Sequence, residues 1–170
     1  MYASSAKLEA AGSLFQKKPD EGRMKGIAFV YDPDGYWVEL VPRNAGAVKE
    51  ASEHNFSQTM LRIKDPMKSV AFYQAFGLKV LTEKHFDSFS LYFMVSQTVP
   101  DGTKAGELFQ PVLELTHNHG TETDKDFRHL NGNEEGRQGF GHIGFLVDDV
   151  YAACDALRPL GYGFRKVHFI

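Results

Sequence analysis

Four polar side chains stand at matching places along this sequence, and their types suit one kind of chemistry. Gln58 opens the string Gln58-Thr59-Met60-Leu61-Arg62-Ile63, and His142 opens His142-Ile143-Gly144-Phe145-Leu146-Val147. Glu114 sits inside Val112-Leu113-Glu114-Leu115-Thr116, and Glu39 inside Tyr36-Trp37-Val38-Glu39-Leu40-Val41. Each string has the apolar and β-branched content of a short strand. One amide, one imidazole and two carboxylates around a point give N and O donors with room for water. That donor set suits a divalent cation in an open, octahedral-leaning site. No thiolate lies nearby, so a closed structural zinc site is not expected. Taken singly, each residue also has a plainer role. A histidine between glycines (Gly141 and Gly144) is often structural, and a glutamate on a half-buried sheet often faces solvent. The chemical reading rests on all four occupying equivalent positions of a repeat.

The repeat is what must position them. His142 follows Gln58 by 84 residues, and Asp149 follows Asp65 by the same 84. Each aspartate is a candidate N-cap for a helical pattern, 65–73 and 149–157, and Pro66 is placed for a first turn. Each pattern ends near a glycine, Gly77 and Gly161, and a strand pattern follows, 78–80 and 162–164. The first copy continues through strands at 89–95 and 112–116, giving a complete β-α-β-β-β unit. The second copy stops at Ile170. Its missing end is found at the other terminus: strand 27–31, the turn Asp32-Pro33-Asp34-Gly35, and the returning strand 36–41. Residues 7–12 resemble the tail of the repeated helix, and 14–16 the strand after it. The expected fold is α+β, with paired βαβββ modules in circularly permuted order. Residues 1–45 form the C-terminal part of one module, 46–55 a linker, 56–118 a complete module, 119–138 a loop, and 139–170 the first β-α-β part of a second module.

Alternation along these strands sorts the side chains by face. Gln58, Met60 and Arg62 point together, as do Trp37, Glu39 and Val41, while Leu113 and Leu115 oppose Glu114. Phe89, Leu91 and Phe93 share a face and either fill the core or line a pocket with Met24 and Phe29. Cys154 reads as a small buried residue. His117, His119 and His129 lie in or beside a polar loop and are expected to take no part.

The bulk properties exclude several classes. The chain of 170 residues carries 19 Lys and Arg against 22 Asp and Glu, a formal net charge of −3. A nucleic-acid or anionic-membrane binder would show a basic excess. Apolar residues make up 42%, a globular composition. With one cysteine there is no intrachain disulfide, which suits a reducing cytoplasmic setting. The N-terminus lacks the pattern of a secretory signal, and no apolar run approaches the ~20 residues of a membrane span.

Several strings together closely resemble the glyoxalase I (lactoylglutathione lyase) family of the vicinal-oxygen-chelate superfamily. They are Gln58-Thr59-Met60-Leu61-Arg62-Ile63-Lys64-Asp65-Pro66, Leu113-Glu114-Leu115-Thr116-His117-Asn118 and Gly139-Phe140-Gly141-His142-Ile143-Gly144. Lys25-Gly26-Ile27-Ala28-Phe29 and Asp32-Pro33-Asp34-Gly35-Tyr36-Trp37-Val38-Glu39 complete the set. The resemblance covers about residues 7–165 and implies paired βαβββ modules curved around a metal. It carries the family's metal ligands onto Gln58, Glu114, His142 and Glu39. The order is unusual, because the Glu39 segment normally follows the His142 segment. The chain looks like the middle of a tandem two-domain protein.

The resemblance also implies the reaction. Methylglyoxal and glutathione, the cosubstrate, combine spontaneously to a hemithioacetal, which is isomerised to S-lactoylglutathione by moving a proton between adjacent carbons. A divalent cation, zinc in preference to nickel or cobalt, stabilises the enediolate as a Lewis acid. Glu39 matches the main base and Glu114 its symmetric partner; a base beside a dication regains strength by leaving it. Arg62 and Asn118 match glutathione contacts. Lys17 and Arg23 match a basic pair for the other end of the tripeptide, Arg23 standing where lysine is commoner. Gln138 replaces a family arginine, with Arg137 adjacent.

Three rival readings remain open at this point. An extradiol dioxygenase would want two His and one Glu, but Gln58 takes a His place. A non-catalytic binding module on the same fold would usually lack the four ligands. The third is an inactive or partner-dependent fragment, because the chain ends come from different copies. A homodimer, with or without swapped segments, is the expected assembly, since open edge strands invite exchange. No nucleic acid or membrane partner is expected.

Overall fold

The computed structural model describes residues 1–42, 55–108 and 110–165. The expected linker at 46–55 therefore lies outside the described residues apart from Asn55. Three helices and seven strands follow one another along the described chain. Helix α1 (Tyr2–Ala10) leads into strands β1 (Phe15–Lys17), β2 (Ala28–Tyr31) and β3 (Trp37–Leu40). The complete module follows as β4 (Gln58–Ile63), α2 (Pro66–Ala75), β5 (Leu78–His85), β6 (Phe89–Ser96) and β7 (Val112–Asn118), and α3 (Val150–Leu157) comes last.

Local sequence accounts for these boundaries. The Asp65 carboxylate accepts from the Lys68 amide at 3.3 Å, and Pro66 takes the first turn, where its missing N–H costs nothing. Asp149 caps α3 by accepting from the amides of Tyr151 and Ala152, 2.8 and 3.1 Å away. In the β2–β3 turn the Asp32 carboxylate accepts from the amides of Asp34 and Tyr36 at 2.9 and 2.8 Å, and Gly35 takes φ +86°. Most side chains would be strained there.

The strands form two sheets. One has the order β1-β2-β3, antiparallel throughout; the other has the order β4-β7-β6-β5, with β4 parallel to β7 and the other pairs antiparallel. The parallel β4–β7 contact closes the module, because the first strand inserts beside the last. On one face of this sheet Ile63, Met94, Leu113 and Leu115 form a buried cluster against Val70 and Tyr73 of α2. Phe93, Val95, Val99 and Val112 make a second cluster on the other face. In element order, α1-β1-β2-β3 repeats the succession α2-β5-β6-β7. By that correspondence β3 matches β7, and the place beside β3 is the one that β4 fills beside β7. Among the described residues no strand pairs with that edge of β3, and Trp37 and Val38 are exposed.

The expected strands at 142–147 and 162–164 are corrected by the structure: both segments are irregular. Their alternating pattern gives strand preference, but a strand also needs a ladder partner for its amides and carbonyls. Burial of their apolar side chains takes them elsewhere. Ile143 packs on the Ile63–Leu115 cluster, the Phe145 ring lies 5.0 Å from Phe76, and Tyr162 meets Phe72 at 4.8 Å. Leu146 is left fully in solvent. No helix among the described residues is long and apolar enough to cross a membrane.

Candidate active site

The face of the four-stranded sheet opposite α2 carries its chemistry in rows fixed by strand register. Met60, Glu114, Phe93 and Thr82 form one row from β4 to β5, and Arg62, Thr116, Leu91 and Lys84 the next. In the smaller sheet Lys17, Phe29 and Glu39 lie abreast, with the Phe29 and Trp37 rings 5.7 Å apart. The two sheets meet at Gln58. Its amide nitrogen donates to Glu39 Oε2 at 2.9 Å and to Glu114 Oε2 at 2.5 Å. Three of the four residues singled out in the sequence are thus joined by one amide, although 75 positions separate Glu39 from Glu114.

Both carboxylates are electrostatically displaced. Burial, with the charge of Glu114 added, pushes Glu39 up to about 7, while Lys84 and Lys17 pull it back. Burial also raises Glu114, against the opposing effect of hydrogen bonds from Thr116 and Gln58 and of the Lys84 charge. Glu114 is only 8% exposed, so its charge meets little water. Two carboxylates on one amide, both held above their ordinary range, mark a place where positive charge is wanted.

That displacement has a consequence for stability. A raised carboxylate pKa means that the folded state holds the proton more tightly than the unfolded chain does. The stabilisation is complete below the ordinary carboxylate pKa near 4.5 and is lost as pH rises through about 7. For Glu39 the loss is on the order of 2–3 kcal/mol after allowing for its partial exposure. Thermal unfolding of the metal-free chain should show the midpoint falling between about pH 5 and about pH 8. The fall should be shallower in Glu39→Gln; an equal fall would remove Glu39 as its source.

His142 is placed apart from the other three. It lines a cleft with Leu61, Leu130, Arg137, Phe140 and Ile143, on the α2 side of the sheet, whereas Gln58 faces the other way. Among the described residues no group of three His, Cys, Asp or Glu side chains is arranged to hold a metal ion. The donors that do converge are two carboxylates and one amide, and turning the Gln58 amide over would present its oxygen to a cation between the carboxylates. This oxygen-rich set fits a divalent metal, with further positions left for another ligand and water.

Arg62 and Asn118, one and two rows along the same face from Glu114, are joined at 2.8 Å between guanidinium and amide oxygen. Lys17 donates to the Ile27 carbonyl at 2.7 Å, beside the Phe29–Glu39 pair. Arg23 and Met24 lie exposed in the β1–β2 loop. Arg137 and Gln138 are exposed, Arg137 in the cleft with His142. Cys154 is half-buried on α3. His117, buried, bonds Glu122 at 2.7 Å, and His119 bonds the buried Ser90, which also meets His85; these contacts pin the β7 end to β5 and β6. Lys84 was not singled out in the sequence. Strand alternation places it on the site face, and only the pairing of β5 with β6 brings it near the carboxylates.

Two sheets meeting over one buried and one half-buried carboxylate define an α+β protein with its polar site where the sheets meet. The model of the Glyoxalase/Bleomycin resistance protein/Dioxygenase superfamily matches residues 55–167. The chain is 39% identical over 168 residues to a lactoylglutathione lyase of Schizosaccharomyces pombe, covering 96% of this chain and 54% of that protein. It is 45% identical over 159 residues to glyoxalase I of Saccharomyces cerevisiae, covering 89% and 47%. A lactoylglutathione lyase of Pseudomonas aeruginosa is 44% identical over 124 residues, 67% of this chain and 69% of that one. The chain belongs to the glyoxalase superfamily and, within it, to the glyoxalase I family. It spans about half the length of the two yeast relatives.

Proposed function

We propose that this chain isomerises the hemithioacetal of methylglyoxal and glutathione to S-lactoylglutathione, with a divalent metal, zinc in preference to nickel or cobalt. The observation that carries the reading is the meeting of Glu39, Gln58 and Glu114 from two sheets, in a chain whose relatives are lactoylglutathione lyases. Gln58, Glu39 and Glu114 would hold the metal, with His142 as the fourth ligand. When bound, the metal supplies Lewis-acid stabilisation of negative charge developing on the substrate oxygens. Glu39 takes the proton from the carbon acid and returns it to the neighbouring carbon. A dication beside a carboxylate depresses its pKa, so Glu39 has to loosen its hold on the metal to act as the base. Glu114 is the symmetric candidate on the facing sheet. Arg62 and Asn118 offer a cation and an amide to a glutathione carboxylate, Lys17 and Arg23 take the other end, and Met24 and Phe29 flank the reacting carbons.

The assembly we propose is a homodimer with exchanged segments. The edge of β3 that has no strand partner among the described residues is the place that β4 fills beside β7, and residues 142–147 are the repeat's counterpart of β4. Docking of that segment from a second copy onto β3 would bring a partner imidazole beside Glu39 and satisfy the exposed edge. A single cysteine and the absence of a basic excess suit a cytoplasmic protein without nucleic-acid partners.

The test is thioester formation by the purified chain given methylglyoxal and glutathione, before and after zinc is stripped and restored. Turnover that returns with zinc is the expected result. A folded, zinc-loaded chain that forms no thioester would instead favour the partner-dependent fragment.

A further inference from the structure

Lys84 stands at the β5 end of the row whose β4 end is Arg62, with Leu91 and Thr116 between them. Such a position at a sheet edge lets a lysine extend into water. Lys84 is exposed, but its ammonium lies over the Phe93 ring, 5.4 Å from its centroid. Phe93 is the direct cross-strand neighbour of Glu114. An aromatic face holds a cation by its quadrupole, and the apolar stem packs along the way. The Lys84 charge is accordingly felt at both carboxylates, and it is the leading cation acting on Glu39.

We infer that Lys84 is the resident cation of this site, a positioning residue that opposes metal entry and favours ligands carrying or developing negative charge. The inference rests on the metal-site reading given above. Before metal arrives, two carboxylates face one ammonium. Once a dication neutralises the carboxylates, the ammonium leaves the pocket net positive. Metal affinity is thereby reduced, and a negative charge developing on a bound ligand meets a fixed cation in place of reorganising water. The cost and the gain come from the same charge on opposite sides of metal binding.

The experiment is zinc affinity measured by competition with a chromophoric chelator, at low ionic strength, for the parent chain, Lys84→Met and Lys84→Arg, with folding checked by circular dichroism. Lys84→Met keeps the stem over Phe93 and removes the charge, so it should bind zinc roughly five- to tenfold more tightly, as loss of one nearby like charge in a partly buried site implies. Lys84→Arg should stay within about twofold of the parent, and salt should narrow the gap. A merely structural lysine would give the opposite sign, because a loosened site binds metal less well. If Lys84→Met does not fold, Lys84→Gln takes its place with the same expectation. Zinc affinity unchanged or weakened in the uncharged variant, with the parent binding normally, overturns the inference alone. Failure of all the chains to bind zinc overturns the metal-site reading, and this inference with it.

Discussion

Glu39→Gln should remove nearly all isomerase turnover while zinc stays bound. The glutamine is isosteric and can still pair with Gln58, which is 2.9 Å from the present carboxylate. Glu114 remains, and an amide oxygen in place of one carboxylate retains a donor. What disappears is the carboxylate that takes the proton, and an amide cannot serve as a general base. Removal of a positioned general base costs on the order of 100- to 10,000-fold. The measurements are kcat for thioester formation and zinc content of the same sample. Full activity in this variant would remove Glu39 as the base; loss of zinc together with activity would make it chiefly a ligand.

His142→Ala should act on the metal instead. Loss of a first ligand should weaken zinc binding by at least ~100-fold, beyond what changes around the ligands usually cost. Unchanged zinc stoichiometry would count against His142 as a ligand. The exchanged dimer adds a sharper expectation. Each of its sites draws Glu39, Gln58 and Glu114 from one copy and the imidazole from the other. Equal amounts of Glu39→Gln and His142→Ala chains, unfolded and refolded together, would form mixed dimers in about half of cases, each with one intact site of two. Activity should return to about a quarter of the parent level from two nearly inactive preparations. No recovery on mixing, with both chains folded, would set exchange aside and leave each site to a single chain.

The helices were legible because their start signals are local. Asp65 and Asp149 each sit where a carboxylate reaches the amides two or three residues on, so one residue type at one spacing fixes the boundary. The β2–β3 turn was legible for the same reason, through Asp32 and Gly35. Alternation likewise predicted that Glu114 turns away from Leu113 and Leu115, since the pleat leaves no other choice. The strand expected at 142–147 was not formed, because strand preference is local while a ladder partner is not. Its side chains Ile143 and Phe145 found burial against α2 and the cluster beneath it, and nothing in their own pattern excludes that. A charged residue near a strand end reads as solvated, and only the pairing of β5 with β6 brings Lys84 over Phe93, next to Glu114 on β7.

A linear reading of the residues reaches the helix caps, the β2–β3 turn, the family and the residue types of the candidate site. These depend on spacing and on short-range geometry, which a linear pattern records. Folding settles what meets what: Gln58 joining Glu39 to Glu114 across two sheets, Lys84 laid over Phe93, an edge of β3 with no strand partner among the described residues, and His142 on the opposite face. Such contacts are set by competition among distant surfaces for burial and for hydrogen-bond partners. Their outcome depends on the whole set of partners at once, so no single stretch of sequence contains it.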